Sequence, residues 1–337
     1  MVYKQTIMKR VLYVRHKSCN EKYLSLVLNK MIGLIDLSVV DLEHYAVRGK
    51  NYQNDFDVII YHTFPHQNHP NKWNTNLIEC TDNLFFDFKG HKILFDSHDS
   101  GNVDAFSRFK NKNIPRIKAW PSYKMISEYN IIQTVAGGAG RLHTAEDNFL
   151  DELSDDNFNL WKSNWPNDKD MSISYIVSYG YHNTSYMDYP TYISKSEDNK
   201  FIRENTRDCL QNYKRIKTDM VMKSQVDFHN HLKTSLVSVS VPGWGEGCLR
   251  QYEAPLYGCL NLLHESISEI KLLPHVDLID GEDFISFNIE NLHEKLNYIF
   301  DNLDIINTIR YNGKKKLHVG YNHQKSANQL VSYINGL

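Results

Sequence analysis

The residues best suited to chemistry lie in one stretch of the chain, residues 237–263, which reads VSVSVPGWGEGCLRQYEAPLYGCLNLL. Alternating glycines stand at its centre, and an arginine and a glutamate follow them: Gly243, Gly245, Gly247, Arg250 and Glu253. Glycines let a backbone approach a ligand closely, and the N–H groups at a helix start favour an anion such as a diphosphate. The stretch therefore predicts a strand, a phosphate-binding glycine loop, a helix and a second strand.

Arg250 and Glu253 are expected on one face of the helix after the glycines, because residues three apart are neighbours on a helix surface. A guanidinium binds phosphate oxygens through two parallel hydrogen bonds, and a carboxylate accepts from both hydroxyls of a ribose. Together the two side chains suit a nucleotide diphosphate. The alternative is an exposed ion pair between them, which would stabilise the helix by about 0.3–0.5 kcal/mol.

The elements that must position these residues form an alternating series of apolar strands and helices. In the first half, the strand candidates are residues 10–16, 36–42, 57–62, 91–99 and 130–135. A second series has strand candidates at residues 172–180, 218–222, 235–241 and 259–263. Polar turns bound these runs and leave room for crossovers, so the sequence predicts an α/β protein with parallel sheets covered by helices.

A chain of 337 residues is too long for one ordinary hydrophobic core, so two domains are expected. A polar, proline-containing segment at residues 159–171 follows an acidic run and predicts the linker between them. We therefore predict an N-terminal domain at residues 1–160 and a C-terminal domain at 161–320. A terminal helix at 321–337 is predicted to pack back on the N-terminal domain.

Polar side chains recur where the predicted strands of the first half end, and ligands of open α/β sheets bind at such ends. His16 follows the first strand, His62 ends the third, and His98 and Asp99 follow the fourth. Any one of them could simply cap the next helix, but their coincidence on one edge of the sheet favours a catalytic role.

Charge and cysteine content narrow the class of protein. Lys+Arg at 38 against Asp+Glu at 40 gives a net charge of -2, which argues against unselective binding of phosphate backbones. The 5 cysteines have no paired metal-ligand spacing, so we expect neither a disulfide nor a structural zinc. The chain lacks an apolar run of membrane-spanning length and a signal-peptide core, which predicts a cytoplasmic location.

The segment GWGEGCLRQYEAPLYGCLNLL, residues 243–263, resembles the donor-site motif of GT-B glycosyltransferases, especially the spore-maturation-type and exostosin-like groups. In that motif an arginine, a glutamate and a later turn of a small residue and a glycine recur in this order. The resemblance extends more loosely to residues 231–243 and 277–287 and covers mainly the second domain. It implies two Rossmann-like domains facing across a cleft, with a nucleotide-sugar in the C-terminal one and the acceptor in the N-terminal one.

The resemblance also implies roles for individual residues. Glu253 would bind the ribose and Arg250 the diphosphate, with the backbone around Gly245 and Gly247 lining the phosphates. The remaining residues of the predicted donor site are Gly243, Glu246, Lys223, Tyr179 and Gly180. Many retaining members carry a second glutamate earlier in the motif, whereas this chain has Gly245 there and Glu246 beside it. Whether the reaction retains or inverts configuration is therefore left open.

Glycosyl transfer requires that negative charge be stabilised on the departing diphosphate, which Arg250 and Lys223 would do without a metal or a tightly bound cofactor. An inverting reaction also needs a base on the facing domain, for which His98 and Asp99 are the candidates, with His62 behind them. The expected enzyme is a hexosyl- or pentosyltransferase that uses a nucleotide-diphosphate sugar such as a UDP-sugar.

The acceptor is left between two classes. Frequent Asn, Lys, Ile and Tyr suggest an AT-rich genome, which fits a bacterial enzyme acting on a glycan or cell-surface polysaccharide. It also fits a phage or viral enzyme that glycosylates hydroxymethylated pyrimidines in DNA, in the cytoplasm of an infected cell. The near-neutral charge favours the glycan. The basic residues 310–325 form either a solvated face or a patch for a polyanionic acceptor.

Other functions are also compatible with the sequence. A metal-dependent hydrolase could use His62, His66 and His69 together with the segment FDSHDSG, because imidazole and carboxylate groups at strand ends form open metal sites. A catalytically silent nucleotide-sugar-binding module would keep Arg250 and Glu253, and a related epimerase would convert the donor without an acceptor.

Overall fold

The computed structural model describes residues 8–15, 22–63, 75–96, 109, 113–133, 153–163, 165, 169–176, 190–220, 224–243 and 247–337. Within them two sheets form, one in each half of the chain. The strands of the first are β1 (Arg10–Arg15), β2 (Asp36–Asp41), β3 (Val58–His62), β4 (His91–Asp96), β5 (Arg116–Lys118) and β6 (Ile131–Ile132). The strands of the second are β7 (Asp170–Ser174), β8 (Thr218–Asp219), β9 (Ser235–Ser240), β10 (Leu260–His264) and β11 (Ile285–Phe287). Their ladders are parallel, as the sequence predicts.

The N-terminal sheet has the strand order β2-β1-β3-β4-β5-β6. Alternate residues of β1 face opposite sides of the sheet. Val11 and Tyr13 pack in one apolar cluster, and Leu12 and Val14 pack in another. Burial on both faces explains why these strands read as continuous apolar runs. The helices that cover the two faces are α1 (Lys22–Met31), α2 (Leu42–Gln53) and α3 (Thr75–Asp87).

Strand β5 was not predicted from the sequence. Its sequence, RIK, places charged side chains on both sides of a single isoleucine, which is not a strand signal. The structure buries both charges, and their partners lie outside the strand. Arg116 donates to the carbonyl of Phe109, and the Lys118 ammonium lies 3.2 Å from the Asp96 carboxylate.

The C-terminal sheet has the strand order β11-β10-β9-β7-β8. Every residue of β9 and β10 is buried, which agrees with their central position in this sheet.

The next helices along the chain are α4 (Tyr123–Glu128), α5 (Asp155–Ser163), α6 (Pro190–Asn212), α7 (Gln225–Thr234), α8 (Arg250–Leu256), α9 (Glu265–Ser268), α10 (Leu292–Asp301) and α11 (Leu303–Gly320).

The last helix, α12 (His323–Asn335), packs on α1 of the N-terminal half. Leu330 and Ile334 are fully buried in the same apolar cluster as Leu24 and Val27. The end of the chain thus contributes to the core of its beginning. The residue limits of the two domains stay a prediction.

A short segment before α4 joins the two halves directly. Ser122 forms an antiparallel bridge with Ile270, and the Tyr123 N–H donates to the carbonyl of Glu269 at 3.1 Å. The Tyr123 hydroxyl donates to the Asp277 carboxylate at 3.2 Å. Burial, together with the Asp277 charge, raises the pKa of Tyr123 to about 12, so the phenol stays a donor at neutral pH.

Within the described ranges, no helix combines the length and the apolar character needed to cross a membrane. Cys80, Cys209, Cys248 and Cys259 are free thiols. Cys19 lies outside the described residues.

Candidate active site

Helix α8 carries the two side chains that the sequence analysis singled out. It begins at Arg250, and residues 251–256 are all buried, so its polar groups must have partners inside the protein. Pro255 lies inside the helix, and Gly258 just after it has a φ of 75°, which a glycine adopts without strain. The predicted helix and its glycine stop are confirmed.

Glu253 is held by a histidine of α7. The Nε2 atom of His229 lies 3.0 Å from Oε1 of Glu253, and the two residues are 7% and 6% exposed. The His229 ring centroid lies 5.1 Å from that of Tyr257. His229 could not be inferred from the sequence, because it is 24 residues before Glu253 and no local spacing connects the two.

Arg250 contacts the backbone just after β7 and the aromatic ring of Phe228. Its guanidinium donates to the carbonyl of Ile176, just after β7, and its Cζ lies 5.9 Å from the ring centroid of Phe228. Its buried Nε has no hydrogen-bond partner among the residues that the structure describes. Arg250 and Glu253 therefore each have another partner, and the predicted alternative of an exposed ion pair between them is wrong.

Side chains of α6 and α8 fix the two ends of the glycine loop. The Nδ2 of Asn199 donates to the carbonyl of Gly243 at 3.1 Å, and the Nε of Arg203 donates to the carbonyl of Pro242 at 2.8 Å. At the other end, the Cys248 N–H donates to Oε1 of Gln251 at 2.9 Å. These contacts set where the loop leaves β9 and where it enters α8.

Gly247 brings the loop against the N-terminal half. A Cβ on Gly247 would lie 2.6 Å from the Cγ and Cδ2 atoms of Trp120, closer than real Cβ contacts. Trp120 follows β5 and is 3% exposed. The absence of a side chain at position 247 is therefore explained by the packing of Trp120, and the contact joins the edges of the two halves.

Cationic side chains hold the carboxyl end of α8. Lys314 donates to the carbonyl of Leu256, Arg310 to that of Gly258 at 2.8 Å, and Lys169 to that of Tyr257 at 2.5 Å. Cations stabilise the last carbonyls of a helix, which carry partial negative charge. The three cations come from two distant parts of the chain and meet at the carboxyl end of α8.

The expectation that residues 310–325 form a basic surface is consequently wrong in part. Arg310 and Lys314 are 1% and 4% exposed, because they reach inward to the carbonyls after α8. Lys316 lies 2.6 Å from the Asp283 carboxylate. A charge run read from the sequence does not show which side chains turn inward on a helix.

Tryptophans of the predicted linker cover the same cations. The ring of Trp165 lies 4.4 Å from the Arg310 Cζ, and that of Trp161 lies 4.9 Å from the Lys314 Nζ. Rings at these distances attract cations through their negative faces. The predicted linker thus packs on the groups that hold α8.

At the facing edge of the N-terminal sheet, the structure describes part of the predicted catalytic group. His62 ends β3, is 1% exposed, and lies with its ring centroid 4.6 Å from that of Phe95. The next strand end holds the buried ion pair of Asp96 with Lys118. These groups line the carboxyl ends of β3, β4 and β5, where the topology predicts a ligand.

Several predicted site residues lie outside the described residues. These are His16, His98, Asp99, Tyr179, Gly180, Lys223, Gly245 and Glu246. His66 and His69 of the hydrolase alternative lie outside them as well. Among the residues that are described, no three His, Cys, Asp or Glu side chains are grouped as metal ligands.

Solved structures share the overall fold of this chain. The chain is similar over 97% of its length to 99% of an alpha-glucosyltransferase in complex with UDP and a 13-mer DNA containing a central A:G mismatch, with a TM-score of 0.52 and 10% identity. It is similar over 98% of its length to all (100%) of Anabaena Alr3699/HepE in complex with UDP and glucose, with a TM-score of 0.50 and 8% identity. No protein-family model and no curated protein matches the sequence. The chain therefore has a GT-B glycosyltransferase-like fold, and the fold prediction is confirmed.

Proposed function

We propose that the chain is a glycosyltransferase that uses a nucleotide-diphosphate sugar, with its donor site around Arg250 and Glu253. The observation that carries the proposal concerns two side chains of α8. Glu253 is held in place by His229, and the buried Nε of Arg250 has no hydrogen-bond partner in the described part of the chain. A buried donor of this kind is expected to have a partner. A diphosphate oxygen would supply one, and a ribose would supply hydroxyls to the carboxylate.

In the proposed donor site, Glu253 accepts from the ribose and Arg250 binds the diphosphate. The remaining proposed contacts are Gly243, Gly245, Glu246, Gly247, Lys223, Tyr179 and Gly180. UDP is the proposed nucleotide, because both compared structures contain it. No metal is assigned a role, since cationic side chains and backbone N–H groups can stabilise the charge of a departing diphosphate.

The acceptor is proposed to bind at the facing edge of the N-terminal sheet, where His98, Asp99 and His62 are the candidate bases. A glycan hydroxyl is the proposed acceptor. The net charge of -2 supports this choice. So does the inward orientation of Arg310 and Lys314, since it removes two charges from a surface that would otherwise attract a polyanion.

The test is an assay of UDP release from UDP-sugars, with mass analysis of the acceptor. One arm offers soluble oligosaccharides and the other offers DNA with hydroxymethylated pyrimidines. We expect sugar transfer in the oligosaccharide arm, with activity lost in Arg250→Met and kept in Arg215→Met, which removes an exposed arginine paired with Asp301. Transfer to DNA alone would show that the acceptor is DNA and not a glycan. Conversion of the donor sugar without an acceptor would indicate an epimerase, and no turnover of any donor would contradict the proposal.

A further inference from the structure

Two adjacent residues of α7 contact the two donor-site side chains of α8. The Phe228 ring faces the Arg250 guanidinium at 5.9 Å, and the His229 imidazole bonds to the Glu253 carboxylate at 3.0 Å. α7 lies between β8 and β9 in the chain and is capped by Ser224, whose Oγ accepts from the Asp227 N–H at 3.2 Å. A regular secondary element thus holds both groups.

The bond between His229 and Glu253 has a defined direction. A carboxylate only accepts, so the Nε2 of His229 carries the proton and donates to Oε1. Burial of the pair, at 7% and 6% exposure, makes this bond costly to break. With Oε1 held in place, Oε2 has a fixed position and accepting capacity of its own.

We propose that His229 is a positioning residue, which fixes Oε1 of Glu253 so that Oε2 receives the ribose hydroxyls and the site prefers ribonucleotides. This inference rests on the proposed function. A fixed carboxylate loses less conformational freedom when the ligand binds, so the hydroxyls contribute more to affinity than they would with a mobile side chain. The contribution disappears for a nucleotide that lacks both hydroxyls.

If His229 had only a structural role, its replacement would change nucleotide binding in a different way. If the imidazole only satisfies a buried carboxylate, its replacement weakens every nucleotide equally or not at all. If it positions Glu253, replacement weakens UDP but leaves 2′,3′-dideoxy-UDP unchanged. The ratio of the two dissociation constants therefore separates the roles.

The test is calorimetric titration of both ligands into the full chain and two polar variants. In His229→Gln the amide nitrogen can reach the position of Nε2, whereas in His229→Asn it is about one bond too short. We expect wild type and His229→Gln to prefer UDP over the dideoxy ligand by about tenfold or more, and His229→Asn to lose most of this preference. Unchanged binding of the dideoxy ligand by His229→Asn shows that this variant is folded.

An unchanged preference for UDP in His229→Asn would overturn the inference and leave the proposed function standing. If wild type bound neither ligand, the proposed function would fail together with the inference. Glu253→Gln serves as the reference, because it weakens the hydrogen-bond acceptor for the ribose hydroxyls. This variant should lower the preference for UDP to the level of His229→Asn.

Discussion

A methyl group added at Gly247 should destabilise the protein through a single contact, that with Trp120. The new Cβ would lie 2.6 Å from two ring atoms, and Trp120 packs with Ala119 and Tyr252 in a buried cluster that leaves the ring little room to move. Overpacking of this kind costs about 1–3 kcal/mol. We therefore expect Gly247→Ala to lower the free energy of unfolding by about that amount.

The assay is urea unfolding of Gly247→Ala, Trp120→Leu and the double variant. Because leucine removes the ring that the methyl group meets, Gly247→Ala should be nearly neutral in the Trp120→Leu background, with a coupling energy of about 1–3 kcal/mol. Gly336→Ala is the matched control, since a Cβ there makes ordinary contacts at 3.4 Å. Equal destabilisation by Gly247→Ala in both backgrounds, or none in either, would show that the contact with Trp120 is not the cause.

Further predictions concern the carboxyl end of α8, the pH dependence of stability and the exposed Arg215. Lys314→Met should lower the free energy of unfolding by about 1–3 kcal/mol, because it leaves the buried carbonyl of Leu256 without this donor; an unchanged urea midpoint would contradict this. Burial, then the charge of nearby Lys325, lowers the pKa of His275 below 6.5, so the unfolded chain binds the proton more readily and stability should fall as pH drops through 6.5. The slope of unfolding free energy against pH should be smaller in His275→Gln, and an identical slope would exclude this contribution. Arg215→Met should leave the urea midpoint unchanged, because the ion pair of Arg215 with Asp301 is exposed to solvent.

The strands that could be predicted from the sequence are those whose burial is evident from their own residues. The runs VLYV and VIIY are apolar over their whole length because both faces of the sheet are covered. β5 could not be predicted, since Arg116 and Lys118 are buried only by virtue of partners that lie elsewhere in the chain. A strand of this kind depends on tertiary contacts.

The same distinction applies to the candidate site. Arg250 and Glu253 stand out because their spacing after the glycines is a local pattern. His229 does not, because its link to Glu253 exists only once α7 packs beside α8. Lys314 was assigned to a surface for the same reason, since charge alone does not reveal that its ammonium reaches the carbonyl of Leu256.

The most direct test of the proposed donor site is calorimetric titration of UDP into wild type, Arg250→Met and Arg215→Met. Loss of hydrogen bonds to a charged group corresponds to about 1.5–3 kcal/mol, or roughly 10- to 150-fold in affinity. We expect wild type and Arg215→Met to bind UDP equally and Arg250→Met to bind it more weakly by that factor. Equal affinity of all three proteins for UDP, or no binding by wild type, would contradict it.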